Sequence, residues 1–529
     1  MTKNLLQFCL LLLTSLGLSA QASEEQLKEY LVKYNSSRGY NHLIQRSDQF
    51  ALLDHHQKAD LFKIGIPTSQ RLNVLADLIQ QPGIEYVVPN SKVRSFLKQE
   101  EVIAQLEGQV TLKDQWAITK VNARQAWERA GNKGKRNVVV AVIDTGVDYN
   151  HESLAPNSVP GFDFNENDAD PMDATGSQNP GHGTHCAGII GGTGLINGGI
   201  LGLSPEVSIM PIRFLGADGS GDLNNAIKSI DFAIEKGAQI ISASWGAQIS
   251  EANAKPLIEA LKRADDAGVI FVAAAANDGK DNDKVSMYPT NANFPNSISV
   301  AASNESDAKP SWSNFGSARV HIAAPGDKIM STLPRNKYGN LSGTSMATPL
   351  VSGLVALLKA QDANLKGSQI RALIQTTGAP VNISTACNCR IDAFAAVDAV
   401  MNKKMFVAPA AATMKVGEKI NLDVVYASGN LSYESSQPAV ATVDAQGVVT
   451  AVAQGKTNIT VRDSSGAVAK TLDFNVGSAS SSNPPPKPGQ PPGGGQPGQP
   501  APGECPFEDP SMCQIICGIM PDAPFCSGK

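Results

Sequence analysis

Three short segments of the chain place an aspartate, a histidine and a serine in settings suited to one reaction. They read Val140-Ala-Val-Ile-Asp144-Thr-Gly, Gly181-His182-Gly-Thr-His185 and Gly343-Thr-Ser345-Met-Ala-Thr-Pro349. A serine hydroxyl is a poor nucleophile until a base takes its proton, and that base needs a buried carboxylate to hold its tautomer. Asp144, His182 and Ser345 are therefore predicted to act together in acyl transfer, with Ser345 as the nucleophile.

The surrounding residues predict elements that would position this trio. The apolar run before Asp144 indicates a buried strand, whose carboxyl end is where open parallel sheets place ligands. The apolar segment 346–358 predicts a helix that begins at Ser345, where free backbone N–H groups favour negative charge. Asn277 follows a second apolar run and is the candidate side-chain donor of an oxyanion hole.

With its motifs in the order Asp, His, Ser, the chain resembles the subtilisin-like serine peptidases, and His-Gly-Thr-His-Cys resembles their thermitase and proteinase K branches. The resemblance implies an α/β domain with a doubly wound parallel sheet, over residues 110–402, that hydrolyses peptide bonds of protein or peptide substrates through an acyl-enzyme. It also implies two extended edges that pair with the substrate backbone. The predicted edge residues are Gly219, Ser220, Gly221, Ser244, Trp245 and Gly246.

Two residues depart from the family pattern in the pocket for the side chain that precedes the cut. Ala276 and Met287 stand where many relatives have glycine. Both changes narrow the pocket, so the sequence predicts cleavage after Ala, Leu or Met ahead of Phe and Tyr. The alternative to an enzyme is a non-catalytic adhesin built on an inactive scaffold, and the intact reacting positions favour the enzyme.

The N-terminal region predicts export and a precursor form. Residues 1–22 have the pattern of a secretory signal, with an uncleaved membrane anchor as the alternative, so the protein is expected to be secreted to the exterior or the periplasm. Residues 23–109 predict a small α+β unit that resembles the family's propeptide, an intramolecular inhibitor. Maturation is expected between Glu100 and Asp114; an ordinary domain that stays attached is the alternative.

Three further segments follow the predicted peptidase domain. Residues 403–477 alternate as in a β-sandwich and resemble bacterial immunoglobulin-like group 2 domains, which suggests a spacer or a module for a cell-surface or carbohydrate ligand. Residues 478–503 have the Pro, Gly and Ser composition of an extended linker. Residues 504–529 hold four cysteines, which predict two disulfides in one of three pairings, or alternatively a zinc site.

Cysteine number predicts at least one free thiol. Seven cysteines remain once Cys9 leaves with the signal. The thermitase resemblance implies that the free thiol is Cys186, beneath the catalytic histidine. Cys387 and Cys389 could bond to each other, although so short a spacing strains a disulfide.

Acidic residues before His182 raise the question of a metal. Oxygen ligands at this density suit calcium, and several subtilisin relatives bind calcium in the matching loop; a solvated acidic turn is the alternative. A second family calcium site lacks its aspartate after His151, which leaves Asn197 as a candidate ligand. The predicted calcium ligands before His182 are Asp163, Asp168, Asp170 and Asp173.

The net charge of −5 gives no argument for a nucleic-acid partner.

Overall fold

The computed structural model describes residues 26–97, 103–106, 110–194, 199–477 and 510–520, together with Ala523 and Cys526. The predicted signal, the predicted linker, Asn197 and Cys505 lie outside the described residues. Within those residues, no helix combines the length and apolar character needed to cross a bilayer.

The N-terminal unit is a four-stranded antiparallel sheet covered by two helices. The sheet order is β2-β3-β1-β4, and the helices close a core over one of its faces. This sheet with its two helices has the α+β composition that the sequence predicts for residues 23–109. The elements are β1 (Leu27–Tyr34), α1 (Ser37–Gln45), β2 (Ala51–His56), β3 (Leu61–Pro67), α2 (Arg71–Gln80) and β4 (Ile84–Pro89), followed by β5 (Lys92–Ser95) and β6 (Ile103–Leu106).

The central domain has a nine-stranded sheet in the order β18-β19-β15-β14-β13-β11-β7-β9-β8, parallel except for the edge strand β18. Its strands are β7 (Val139–Asp144), β8 (Phe162–Asp163), β9 (Ser208–Arg213), β11 (Ile240–Ala243), β13 (Ile270–Ala274), β14 (Ser297–Ser303), β15 (Ile322–Pro325), β18 (Ala379–Pro380) and β19 (Cys389–Arg390). Outside it lie β10 (Ser220–Asp222), β12 (Trp245–Gly246), β16 (Ile329–Leu333) and β17 (Lys337–Leu341).

Helices cover both faces of this sheet, which explains the continuous apolar run of β7. Val140 and Val142 join the core formed with α5 and α8, while Ala141 and Ile143 join the core formed with α6 and α7. Successive strand residues face opposite sides, so a strand buried on both faces has no polar positions. The helices are α3 (Trp116–Lys120), α4 (Ala123–Ala130), α5 (His182–Gly191), α6 (Leu223–Glu235), α7 (Glu251–Asp266), α8 (Thr344–Gln361), α9 (Gly367–Thr377) and α10 (Ala393–Met401). The predicted doubly wound α/β fold is confirmed.

The C-terminal domain consists of short, mostly antiparallel strands around a core of its own, as the sequence predicts. The largest buried side chain in that core is Phe474. The strands are β20 (Phe406–Ala408), β21 (Ala412–Lys415), β22 (Lys419–Asn421), β23 (Asp423–Val425), β24 (Leu431–Ser435), β25 (Ala441–Val443), β26 (Val448–Ala451), β27 (Gly455–Thr457), β28 (Ile459–Asp463), β29 (Val468–Lys470) and β30 (Phe474–Gly477).

The cysteines that the structure describes divide between disulfides and one buried thiol. Cys387 bonds to Cys389 despite the short spacing, and Cys186 is free and buried. In the tail, helix α11 (Pro510–Ile519) is joined to the chain beyond it by a Cys517–Cys526 disulfide. Cys513 is disulfide-bonded as well, so these tail cysteines are not zinc ligands.

Candidate active site

Asp144 and His182 form a buried hydrogen-bonded pair. Asp144 ends β7, and His182 is the first residue of α5. His182 Nδ1 donates to Asp144 Oδ1 at 2.7 Å, and both side chains are almost fully buried. Because the carboxylate accepts a hydrogen bond from Nδ1–H, the ring proton stays on Nδ1 and Nε2 carries the lone pair that a general base needs. Within the described residues, His182 Nε2 has no hydrogen-bond partner.

Asp173 braces the two loops that carry this pair. Thr145 Oγ1 donates to one carboxylate oxygen at 2.7 Å, while the backbone N–H and Oγ1 of Thr184 donate to the other at 2.8 and 2.5 Å. Thr145 Oγ1 in turn accepts from the N–H of Gly183, the residue after His182. Burial raises the pKa of Asp173 to about 6, although these hydrogen bonds oppose the shift. Asp173 is therefore a positioning residue, a role that the sequence did not reveal.

Ser345 lies at the N-terminus of α8, as predicted. Its hydroxyl donates to the carbonyl oxygen of Ser244 at 3.0 Å. The carbonyl oxygen of Ser345 accepts from Ser244 Oγ at 2.9 Å and from the Cys186 thiol at 3.4 Å. Burial raises the pKa of the Cys186 thiol, which favours the neutral hydrogen-bond donor. To be activated, the Ser345 hydroxyl must turn from Ser244 towards the unpartnered Nε2 of His182.

The side chain of Asn277 is held in one orientation. Its Oδ1 accepts from both the N–H and Oγ1 of Thr344, each at 2.9 Å. The Nδ2 group therefore points the other way, where it donates to the carbonyl oxygen of Phe96 at 2.6 Å. A Cβ built on Gly343 would be 2.5 Å from the same Phe96 oxygen, so this carbonyl also lies against the start of α8. The Phe96 carbonyl oxygen thus lies beside both Asn277 Nδ2 and the N-terminus of α8, where an oxyanion hole binds the carbonyl oxygen of its substrate.

The predicted substrate edges are occupied by the chain itself. Strand β5 lies between β10 and β12 and pairs antiparallel with both. The N–H of Ser95 donates to Gly219 O at 2.9 Å, and the N–H of Phe96 donates to Ser244 O at 3.0 Å. All six predicted edge residues lie in or beside these two pairings: Gly219, Ser220, Gly221, Ser244, Trp245 and Gly246.

An aromatic ring fills the side-chain pocket. Phe96 is 5% exposed and packs with Ala274, Ala276 and Met287. A Cβ on Gly246 would lie 2.8 Å from the tip of the Phe96 ring, so this glycine leaves the space that the ring uses. Ala276 and Met287 do line the pocket, and the Phe96 ring packs against the buried Met287 side chain. The pocket therefore has room for a Phe side chain, while the order of preference between Phe and Ala, Leu or Met stays a prediction.

The bond at the site lies before the predicted maturation range. Phe96 occupies the pocket and its carbonyl oxygen contacts Asn277, so the peptide bond presented is Phe96–Leu97. The expected range from Glu100 to Asp114 begins three residues further along the chain. The packing of the whole N-terminal unit on the central domain determines which peptide bond lies at Ser345. The residue types near position 100 do not indicate how that unit packs.

The four predicted calcium ligands do not converge. Asp163 is buried and pairs with Arg213 at 2.8 Å, and Asp173 faces the two threonines described above. Asp168 accepts from the N–H of Asp170, whose own carboxylate accepts from Tyr149. Among the described residues, no group of three acidic, histidine or cysteine ligand atoms within 4.8 Å includes any of these aspartates. Asp163 and Asp173 already have protein partners, so these four carboxylates do not form a calcium site with one another, and calcium binding stays a prediction.

The N-terminal unit is fastened to α6 and α7 by charged pairs. Lys228 Nζ lies 2.8 Å from Asp54 Oδ2, and Lys63 Nζ lies 3.3 Å from Asp222 Oδ2. Tyr86 donates to Glu259 at 2.9 Å. Apolar residues of the unit, including Leu31, Leu61 and Val88, complete the core on this face of the peptidase domain. The unit therefore covers two helices and ends in the substrate groove.

A second histidine of the same motif has a structural role. His185 is buried, and its Nε2 donates to the carbonyl oxygen of Gly339 at 3.0 Å. Burial lowers the pKa of His185 to about 3, so the ring stays neutral at physiological pH. His185 therefore fixes α5 against β17 and is not a candidate acid or base.

Two family models match the chain. Residues 135–400 match the subtilase family, and residues 403–474 match the bacterial Ig-like domain, group 2. Thermitase of Thermoactinomyces vulgaris is 40% identical over 263 residues, which are 50% of this chain and 88% of that protein. The major intracellular serine protease of Bacillus subtilis (strain 168) is 38% identical over 46% of this chain and 75% of its own length.

The match to a third relative covers a smaller share of that protein. The thermophilic serine proteinase of Bacillus sp. (strain AK1) is 39% identical over 48% of this chain and 58% of that protein. The fold, the matched residues and these similarities lead to one conclusion. The chain belongs to the subtilase family and is a subtilisin-like serine protease with a C-terminal immunoglobulin-like domain.

Proposed function

We propose that the chain is the precursor of a secreted endopeptidase whose first substrate is its own Phe96–Leu97 bond. One observation carries the proposal. The carbonyl oxygen of Phe96 accepts a hydrogen bond from Asn277, and the side chain of Phe96 fills the pocket. Residues 23–96 are then the propeptide. They act as an intramolecular inhibitor because they occupy both substrate edges.

The first half of the reaction forms an acyl-enzyme. The Ser345 oxygen attacks the Phe96 carbonyl carbon while its proton passes to His182 Nε2, and the Asp144 carboxylate stabilises the imidazolium. Asn277 Nδ2 and the N–H of Ser345 hold the negative charge on the former carbonyl oxygen. The intermediate collapses as the C–N bond breaks, and His182 gives its proton to the Leu97 nitrogen.

Water completes the cycle by the same groups. His182 takes a proton from water, whose oxygen attacks the ester carbon between Phe96 and Ser345. Breaking the bond between this carbon and the Ser345 oxygen returns the proton from His182 to Ser345 and leaves a carboxylic acid on Phe96, which then loses its proton to solvent. Later substrates pair their backbone with the edges that β5 leaves, so extended or unfolded protein segments are the expected substrate class.

Phe96 also supports a preference for the residue that precedes the cut. Its ring is buried by Ala274, Ala276 and Met287, and Gly246 leaves room for the ring tip. We therefore expect Phe and residues of similar size at this position. Secretion rests on the signal pattern of residues 1–22, and a cell-surface or carbohydrate ligand remains the proposal for the Ig-like domain.

A serine-directed fluorophosphonate tests whether the site is active. The reagent forms a stable bond only with a serine whose proton a neighbouring base removes. The mature protein should be labelled on Ser345, and Ser345→Ala should remain unlabelled. An unlabelled mature protein with no peptidase activity would support the adhesin alternative.

A further inference from the structure

The C-terminal tail packs into the core of the propeptide. Met512 and Ile516 of α11, with Met520 after it, are buried in one cluster with propeptide residues. The cluster draws on the propeptide's sheet and on both of its helices, and its members there include Tyr30, Val32, Leu43, Val74, Leu75 and Val87. A segment more than 400 residues away along the chain thus completes the apolar core of the N-terminal unit.

The contact uses one face of α11. Ile516 is fully buried, whereas its neighbour Ile515 is 44% exposed. The buried positions 512, 516 and 519 have the spacing of a single helical stripe. The Cys517–Cys526 disulfide links this helix to the chain after it, where Ala523 joins the same cluster. The arrangement is that of a specific packing surface.

The same helix also reaches the peptidase domain. Helix α11 contacts α2 and β4 of the propeptide on one side and α7 of the peptidase domain on the other. Asn253 of α7 donates its amide N–H to the carbonyl oxygen of Gly518 at 3.2 Å. The tail therefore lies across the boundary between the inhibitor and the enzyme.

We infer that the tail is a clamp that retains the cleaved propeptide on the enzyme. This inference rests on the proposed function. When the Phe96–Leu97 bond is cut, the propeptide becomes a separate chain, but the tail stays covalently attached to the mature protein. Contacts between α11 and the propeptide core then oppose dissociation of the inhibitor.

Covalent attachment makes the clamp effective. The tail belongs to the same chain as the peptidase domain. Its effective concentration at the bound propeptide is therefore set by the length of the segment that joins them. A ligand that binds only the folded propeptide also stabilises that fold. Loss of the tail, by proteolysis within residues 478–503 or by disruption of α11, should therefore release active enzyme sooner.

Full-length variants of one residue pair test the clamp. Ile516→Asp places a charge in the shared core, Ile516→Ala removes apolar contact without adding charge, and Ile515→Asp is the control on the exposed face. Two quantities are measured: the fraction of propeptide that co-elutes with the mature chain after cleavage, and the lag before a peptide substrate is hydrolysed.

The expected results are graded. Ile516→Asp should shorten the lag at least tenfold and lose the co-eluting propeptide, Ile516→Ala should fall between it and the parent, and Ile515→Asp should match the parent. The kcat/KM of fully matured enzyme should be the same in all four proteins. Equal lags in the Ile516 and Ile515 variants would overturn the clamp alone, whereas a parent that never cuts Phe96–Leu97 would overturn the proposed function beneath it.

Discussion

The carbonyl oxygen of Phe96 accepts a 2.6 Å hydrogen bond from Nδ2 of Asn277. This contact joins the end of the N-terminal unit to a side chain that follows the central strand β13. It places a peptide carbonyl where negative charge would develop during attack by Ser345. The proposed processing site, the proposed pocket preference and the proposed inhibitory role of the N-terminal unit all rest on this contact.

Asn277→Ala should lower kcat by about 10²- to 10³-fold, because one side-chain oxyanion donor is lost while the backbone donor remains. KM should change little, since the donor acts mainly on the transition state. Steady-state kinetics on a peptide substrate check this. An unchanged kcat would remove Asn277 from the oxyanion hole, with Ser345→Ala as the inactive reference.

Gly246→Ala should reduce kcat/KM for a substrate with Phe before the cut far more than for one with Ala there. A Cβ at this position would clash with the carbonyl oxygen of Tyr288 and lie 2.8 Å from the Phe96 ring tip, so both peptides should lose activity. The additional loss on the Phe peptide should be about 10- to 200-fold, the discrimination that one methyl group makes in an apolar pocket. The measurement compares two peptides that differ at one residue. Parallel losses on both peptides would show that Gly246 does not border the pocket.

Asp173→Asn should destabilise the fold and lower kcat without any involvement of calcium. Thr145 and Thr184 donate three hydrogen bonds to the two oxygens of this carboxylate, and the amide nitrogen that replaces one of these oxygens cannot accept a hydrogen bond. A buried donor left without its acceptor costs about 1 to 3 kcal/mol. Thermal unfolding is measured with calcium and with excess chelator. A loss of Tm that appears only in the presence of calcium would restore Asp173 as a metal ligand.

Asp168→Asn is the matched control for that experiment. Asp168 is exposed and lies in the same acidic segment, yet among the residues that the structure describes its carboxylate accepts only from the backbone N–H of Asp170. Its Tm should stay close to that of the parent in both buffers. A chelator-dependent difference in Tm between this variant and the parent would show that Asp168 contributes to a calcium site.

Acidic pH should weaken the hold of the cleaved propeptide through His56. Its Nε2 lies 3.3 Å from Asp231 Oδ2 of α6. Burial lowers the pKa of His56, and Arg263 and Lys228 act in the same direction, while Asp231 and Asp54 oppose them. The neutral ring is thus the bound form. Its contribution is fully present above the ordinary histidine pKa of about 6.5 and is lost as pH falls below it.

His56→Gln should make this association less dependent on pH, because glutamine stays neutral. The fraction of propeptide that co-elutes with the mature chain is measured at pH 5.5 and pH 7.5. The parent should lose propeptide faster at pH 5.5, and the variant should show a smaller difference. A steeper pH dependence in the variant would reverse the assigned sign.

The sequence predicted the parts of the site that depend on local motifs. Asp144, His182 and Ser345 each sit at the end of a strand or the start of a helix, and apolar runs mark those boundaries. Asn277 could be found for the same reason, because a buried strand precedes it. Parallel strands then bring such ends to one edge of the sheet.

The remaining features depend on docking between distant segments. Phe96 has no motif of its own, and its place in the pocket follows from the packing of the N-terminal unit on α6 and α7. Density of carboxylates predicted a metal loop, but the partners of Asp163 and Asp173 lie on other elements. Likewise, four cysteines could not show that Ile516 would pack into a core near the other end of the chain.

Self-cleavage of the Phe96–Leu97 bond by Ser345 is tested most simply by the mass of the fragment released on maturation. The full-length parent and Ser345→Ala are purified, incubated unaided and analysed by intact mass and N-terminal sequencing. The parent should release a propeptide that ends at Phe96 and leave a first mature N-terminus at Leu97, and the variant should show no cut. A first cut between Glu100 and Asp114, or unaided cleavage at Phe96–Leu97 in Ser345→Ala, would contradict this self-cleavage.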